Sequence, residues 1–146
     1  MKKTSIILCA AAICVCASLL VLLCIFAPHT ADVYAKYRSI DQAGKSAILY
    51  SFYACALPAA SALYCLMRIT LNVYRDQAFL RRNSTYMGII SWCCLTVALI
   101  CGVGGTWYMP LWFVSGAMLM LFLVVRVVRI CFTAAAGIKE ENSLTI

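Results

Sequence analysis

Ten cysteines are the residues of this sequence with the clearest potential for chemistry. Thiols can pair as disulfides or hold a soft metal ion. No C-x-x-C pair and no cysteine–histidine spacing typical of zinc occurs, and all ten fall in or at the end of apolar stretches. We therefore predict small apolar packing residues, with no metal site and no cofactor; a buried soft-metal cluster between helices is the alternative. They are Cys9, Cys14, Cys16, Cys24, Cys55, Cys65, Cys93, Cys94, Cys101 and Cys131.

Acid–base groups are few and lie outside the apolar stretches. General acid–base catalysis needs a positioned histidine or carboxylate, and proton-coupled carriers hold such a group within the membrane. The pattern predicts no catalytic residue and no enzyme activity, and it disfavours proton-coupled transport. The groups are His29, Asp32, Asp41, Asp76, Glu140 and Glu141.

The composition indicates the environment of the chain and of its cysteines. Of 146 residues, 65% are hydrophobic and 12% are charged, against about 45–50% and about 25% in soluble domains. Such a chain has too little polar side-chain surface to cover a water-soluble fold. The formal net charge is +7, but the sequence has no basic stripe with exposed aromatics of the kind typical of nucleic-acid binding. We therefore expect a lipid bilayer as the main partner and no direct nucleic-acid binding.

Charge-free stretches predict four transmembrane helices, because about 20 apolar residues cross the hydrocarbon. Residues 83–125 carry no charge and would measure about 65 Å as one helix, so they must fold back. The glycines and proline of 102–110 mark the corner. We predict an all-α integral membrane protein, a single membrane domain over 1–146 with an antiparallel four-helix bundle. Its helices cover about 6–27, 46–71, 86–103 and 111–138, with an outer loop at 28–45, an inner loop at 72–85 and an inner tail at 139–146.

The distribution of cations predicts the orientation. By the positive-inside rule the cation-rich side is cytoplasmic, which places both termini in the cytoplasm of a multi-pass protein of the cell inner (plasma) membrane. Met1-Lys2-Lys3 also resembles the start of a signal peptide, but the following apolar run is span-length and lacks a clean cleavage site, so we expect a retained helix. The outer side carries only Lys36, Arg38 and Lys45, and the remaining cations are Lys2, Lys3, Arg68, Arg75, Arg81, Arg82, Arg126, Arg129 and Lys139.

Small residues at four-residue spacing predict where helices approach closely. Ala56 with Ala60, and Ala98 with Gly102, have this spacing. Pro58 predicts a kink that would mark a binding cavity, although prolines are also simply common in membrane helices. Asn83-Ser84-Thr85 fits a glycosylation sequon, but it falls on the predicted inner side, so we interpret it as a helix-start cap.

Two inner patches resemble a known family. The ending Lys139-Glu140-Glu141-Asn142-Ser143-Leu144-Thr145-Ile146 is similar to endings that read lys-glu-glu-asn-asp-leu-thr-ile, with Ser143 in place of the usual aspartate. Phe79-Leu80-Arg81-Arg82-Asn83 resembles the same family's phe-x-x-x-asn entry into the third helix, with Ala78 before the phenylalanine. The family is the bacterial domain-of-unknown-function family two-nine-seven-five, small four-helix membrane proteins, and in architecture the resemblance covers the whole chain.

The resemblance implies a location and partners rather than a chemistry. Members are often encoded beside a small helix-turn-helix regulator of the Cro/C1 type. The first functional hypothesis is therefore an uncharacterised, non-enzymatic, regulatory or accessory protein that binds such a regulator in the cytoplasm. The alternative is a small transporter or channel component that acts as a homo-oligomer. The candidate partner-binding residues are Phe79, Arg81, Arg82, Asn83, Glu140, Glu141, Asn142, Leu144 and Ile146.

Overall fold

The computed structural model describes residues 2–39, 41–75 and 81–144, and these form four α-helices. They are α1 (Lys2–Arg38), α2 (Gln42–Tyr74), α3 (Arg81–Gly104) and α4 (Pro110–Leu144). Each helix packs against the next one along the chain: α1 against α2, α2 against α3, and α3 against α4. The expectation of an all-helical protein is confirmed.

All four helices are long and apolar enough to cross a membrane. The outward surface is made of large apolar side chains such as Leu8, Leu57, Phe113 and Ile130, each more than half exposed. Water does not tolerate an apolar surface of this extent, whereas lipid does. The chain is therefore a multi-pass membrane protein.

The helix α1 continues through Pro28, so most of the segment predicted as an outer loop, 28–45, is helical. Proline lacks the N–H that would bond to the carbonyl four residues earlier, here that of Cys24. The Tyr53 hydroxyl of α2 donates to this carbonyl oxygen at 3.4 Å. A neighbouring helix thus satisfies the freed acceptor, which allows a proline inside a membrane helix. At 37 residues, or about 55 Å, α1 is longer than the hydrocarbon is thick.

The connection between α1 and α2 is short and is fixed by polar contacts. Ser39 follows α1 with a φ of 52°, in the left-handed conformation common just after a helix end. Asp41 then caps α2, and its carboxylate accepts from the backbone N–H of Gln42 at 3.2 Å. An ion pair between Lys45 and Asp32 joins the two helices near this turn.

Two adjacent faces of α3 contact the two neighbouring helices. The face toward α4 is made of small residues. The Ser115 hydroxyl of α4 donates to the Ala98 carbonyl on this face at 2.7 Å and lies beside Gly102. The predicted close approach at Ala98 and Gly102 is confirmed. The other small pair is not an interface, because Ala60 is exposed. The small face comprises Ser84, Gly88, Ser91, Ala98 and Gly102.

The face of α3 toward α2 begins at Asn83, which is 1% exposed. The Asn72 side-chain N–H donates to the Asn83 side-chain oxygen at 2.7 Å. The predicted helix start at Asn83 is wrong, because α3 begins two residues earlier, at Arg81.

The connection between α3 and α4 is the predicted corner. Gly104 ends α3, and Pro110 begins α4. Within the turn the Tyr108 ring lies edge-on to Tyr34 of α1, with ring centroids 4.4 Å apart, and it also lies near Phe52 of α2. An aromatic contact thus brings the ends of several helices together above the bundle interior.

Candidate functional site

A cavity of about 290 Å³ lies inside the bundle, and all four helices contribute to its wall. Every residue that lines it falls within a stretch predicted to lie in hydrocarbon. The cavity is beside Pro58, as the sequence hypothesis for that proline predicts. Representative lining residues are Leu23, Cys24, Ala56, Pro58, Val97 and Met118.

The wall of the cavity is apolar and contains no charged side chain among the described residues. Its two hydroxyl groups are already bonded: Ser51 donates to the Ala47 carbonyl at 2.9 Å, and Tyr53 donates to the Cys24 carbonyl. No polar group of the wall is thus left requiring a ligand. Such a site suits a small apolar molecule, which would displace little ordered water.

Sulfur atoms are concentrated on the wall that α2 and α3 form. The sulfur atoms of Cys55 and Cys101 are 3.7 Å apart. Cys93 lies 3.3 Å from the Ser61 hydroxyl of α2, measured from sulfur to oxygen. Half of the cysteines line the cavity. The sequence placed them within helices, but it gave no signal that pairs a cysteine of one helix with a cysteine of another.

A second, polar layer lies where α3 and α4 meet, farther along the bundle. The Arg129 guanidinium lies over Gly88. A Cβ atom added at Gly88 would be only 3.1 Å from the central carbon of that guanidinium. Beside it the hydroxyls of Ser84 and Thr133 are 3.0 Å apart. Ser91 is fully buried, and its hydroxyl has no hydrogen-bond partner within the described part of the chain. Sequence reasoning missed this layer, because its members are common residues with no distinctive spacing.

Two further basic residues rest on aromatic rings of their own helices. Arg68 lies over Tyr64 in α2, and Arg126 lies over Phe122 in α4, each with its guanidinium carbon 5.7 Å from the ring centroid. A cation held over a ring face is stabilised by about 0.5–1 kcal/mol at exposed sites. These contacts explain how charged side chains can lie near the ends of apolar stretches.

The structure describes the side chains of only some of the predicted partner-binding residues. Arg82 is exposed and Asn83 is buried against α2, so the structure does not bring these two together on one surface. Phe79 and Ile146 lie outside the described residues. The backbone of α3 includes Arg81 and that of α4 extends to Leu144, but the described side chains exclude those of Arg81, Glu140, Glu141, Asn142 and Leu144.

The candidate acid–base and metal-ligating groups are dispersed. His29 is exposed on α1, one residue after Pro28. Within residues 2–39, 41–75 and 81–144, no three side chains among histidine, cysteine, aspartate and glutamate are grouped as metal ligands. The geometry therefore directs attention to the apolar cavity.

The fold and cavity define an all-helical, multi-pass membrane protein with an internal apolar site. Residues 26–146 match the family model described as protein of unknown function (DUF2975), and the chain belongs to that family. The family resemblance predicted from the two inner patches is confirmed. No curated protein and no solved structure matches the chain.

Proposed function

We propose that this protein is a non-enzymatic regulatory membrane protein that binds a small apolar molecule in the cavity and passes the binding state to a cytoplasmic partner. The observation that carries the proposal is the charge-free cavity lined by residues of all four helices. A site with this lining gains affinity from apolar burial, and its wall carries no histidine or carboxylate for acid–base catalysis.

The helix α4 connects the cavity to the tail. Leu111, Val114 and Met118 line the cavity, and the same helix continues without a break to Leu144. Its 35 residues span about 52 Å. A ligand that displaces the first turns of α4 therefore moves the tail as well, because a continuous helix transmits displacement along its axis. Small shifts of this kind couple distant sites when each ligand favours one arrangement.

The proposed orientation is an antiparallel bundle in the inner membrane with both termini in the cytoplasm. The excess of cations on that side supports it. Single cysteines at Asp41, Asp76 and Ser143, introduced in a cysteine-depleted background, test it with a membrane-impermeant thiol reagent on intact cells. Only the cysteine at position 41 should react. Reaction at position 143 would contradict an even number of spans.

The proposed partner is a small helix-turn-helix regulator, bound through the inner loop 75–83 and the tail 139–146. Affinity capture in mild detergent should recover a DNA-binding protein with the full chain and not with a chain truncated after Lys139. The matched control is Lys36→Gln, which changes an exposed cation on α1 at the other end of the bundle.

Two results would contradict the regulatory proposal. In the first, the full chain captures no DNA-binding protein. In the second, deletion of the gene for this membrane protein leaves transcription in the cell unchanged. Membrane abundance must be measured in parallel, because a truncated chain that fails to accumulate would indicate a structural role for the tail.

A transport role is the second candidate, because a cavity lined by four helices would also hold a transported molecule. Four helices enclose little volume, so such a carrier would work as an oligomer. Flux of an apolar or cationic compound into proteoliposomes, without any partner, would favour transport. Absence of flux together with a captured regulator would favour regulation.

A further inference from the structure

Three sulfur-containing side chains meet where α2, α3 and α4 approach one another. Cys101 belongs to a buried cluster with Val97 and Leu111, and both Cys55 and Met118 pack against that cluster. All three sulfur residues also line the cavity. This part of the wall therefore carries two thiols in contact with each other and one thioether that packs against the same cluster, from three different helices.

The spacing of the two thiols suits a shared metal ion. At a metal–sulfur distance of about 2.3 Å, two sulfurs on opposite sides of an ion would be about 4.6 Å apart, and two in a planar three-coordinate site about 4 Å. The observed separation between the sulfur atoms of Cys55 and Cys101 is 3.7 Å. This value is within about 0.3 Å of the three-coordinate spacing and within about 0.1 Å of the tetrahedral spacing of about 3.8 Å, so the two thiols can share one ion with little movement. Met118 packs against the same cluster and is the candidate third ligand.

The chemistry of the donors selects the ion. Thiolate and thioether ligands favour soft ions such as copper(I), whereas magnesium and calcium need oxygen ligands. The wall carries no carboxylate and only two side-chain hydroxyls, those of Ser51 and Tyr53, whereas a hard ion such as calcium takes about six to eight oxygen ligands.

Charge balance is compatible with a monovalent ion. An apolar wall penalises net charge strongly. When a monovalent cation replaces the proton of one thiol, the complex of one thiolate, one thiol and one thioether is neutral. If the ion arrives as the complex of a small thiol, the released thiolate takes up that proton, so protons and charges balance.

We propose that Cys55, Cys101 and Met118 form a binding site for one soft monovalent metal ion, with copper(I) or silver(I) as the chemical class. This inference goes beyond the proposed function and does not depend on it, because metal binding requires the sulfur atoms and not an apolar ligand. A structural role for the same residues predicts packing alone, with no retained metal.

The test measures copper retained per chain. The purified full-length protein is incubated without oxygen with copper(I) supplied as its glutathione complex, passed through a desalting column, and assayed for copper and protein. We expect the wild type to retain about one copper ion more than the double variant Cys55→Ser/Cys101→Ser. The matched control Cys14→Ser/Cys16→Ser removes two exposed thiols of α1 and should retain as much as the wild type.

A second variant separates ligation from packing. Met118→Leu keeps the volume and apolar character of the side chain but removes the thioether, so it should fold normally and bind copper at least tenfold more weakly in competition with a copper(I) chelator. Elution volume and helical circular dichroism check that each variant is folded. Equal retention by the wild type and the double variant, or no retention by the wild type, would overturn the proposal. So would a wild type that instead forms a Cys55–Cys101 disulfide under these conditions, measured by intact mass.

Discussion

Gly104 is the position at which adding one methyl group should be most informative. It ends α3 beside both α2 and α4, and a Cβ atom there would lie 2.8 Å from the Ser51 hydroxyl oxygen, 3.2 Å from the Ser51 Cβ and 2.9 Å from a Leu111 methyl carbon. The Leu111 methyl can rotate away, but the Ser51 Cβ is fixed to the α2 backbone. Gly104→Ala must therefore push two helices apart, at a cost of about 1–3 kcal/mol.

The matched control is Gly116→Ala on α4, where an added Cβ meets nothing within 4 Å. Alanine favours a helix interior over glycine by about 1 kcal/mol; Gly116→Ala gains this term in full, whereas Gly104→Ala gains less of it because Gly104 is the last residue of α3. Unfolding in mixed detergent, followed by circular dichroism, should show Gly104→Ala less stable than Gly116→Ala by about 1–3 kcal/mol. Equal stabilities would refute the close approach of α2, α3 and α4 at this point.

Four further substitutions test three polar groups and one backbone conformation in the same unfolding assay. Ser91→Ala should leave stability unchanged or raise it, because the lost hydroxyl is buried without a described partner, whereas Ser115→Ala should lower it by about 0.6 kcal/mol, typical of a hydrogen bond between membrane helices. Asn72→Ala should lower the free energy of unfolding by about 1 kcal/mol, since the buried Asn83 oxygen loses the donor at 2.7 Å. An unchanged free energy of unfolding would contradict this hydrogen bond. Ser39→Gly should raise stability by up to about 1 kcal/mol by relieving a left-handed serine; a fall would contradict that conformation.

The elements that follow from hydropathy were predictable from the sequence. The charge-free run 83–125 is too long for one span, and its only cluster of glycine and proline lies at 102–110, where the structure turns between Gly104 and Pro110. Likewise, Ala98 and Gly102 show close packing because small residues at that spacing permit it. These features depend on local composition, which a sequence displays directly.

The cavity wall and the helix ends were less predictable, because they depend on contacts between distant residues. Nothing in the sequence around Pro28 shows that Tyr53 will satisfy the carbonyl it leaves open, so the helix was expected to end there. The same holds for Cys55 and Cys101, whose proximity requires the register between α2 and α3. Hydropathy defines which segments are buried in lipid, but it does not define that register.

The most direct test of the central claim, that the cavity binds a small apolar molecule, uses naphthalene as the probe and the melting temperature as the readout. Ala59 lines the cavity, and its neighbour Ala60 is exposed outside it. Ala59→Phe should fill the site, and Ala60→Phe is the matched control for added aromatic area. A ligand at one hundred times its Kd stabilises the folded state by about 2.7 kcal/mol.

Naphthalene should raise the melting temperature of the wild type and of Ala60→Phe, with little or no rise for Ala59→Phe. The same rise in all three proteins would mean that naphthalene acts through the detergent. No rise in the wild type would mean that the cavity does not bind it. Either result would contradict the claim.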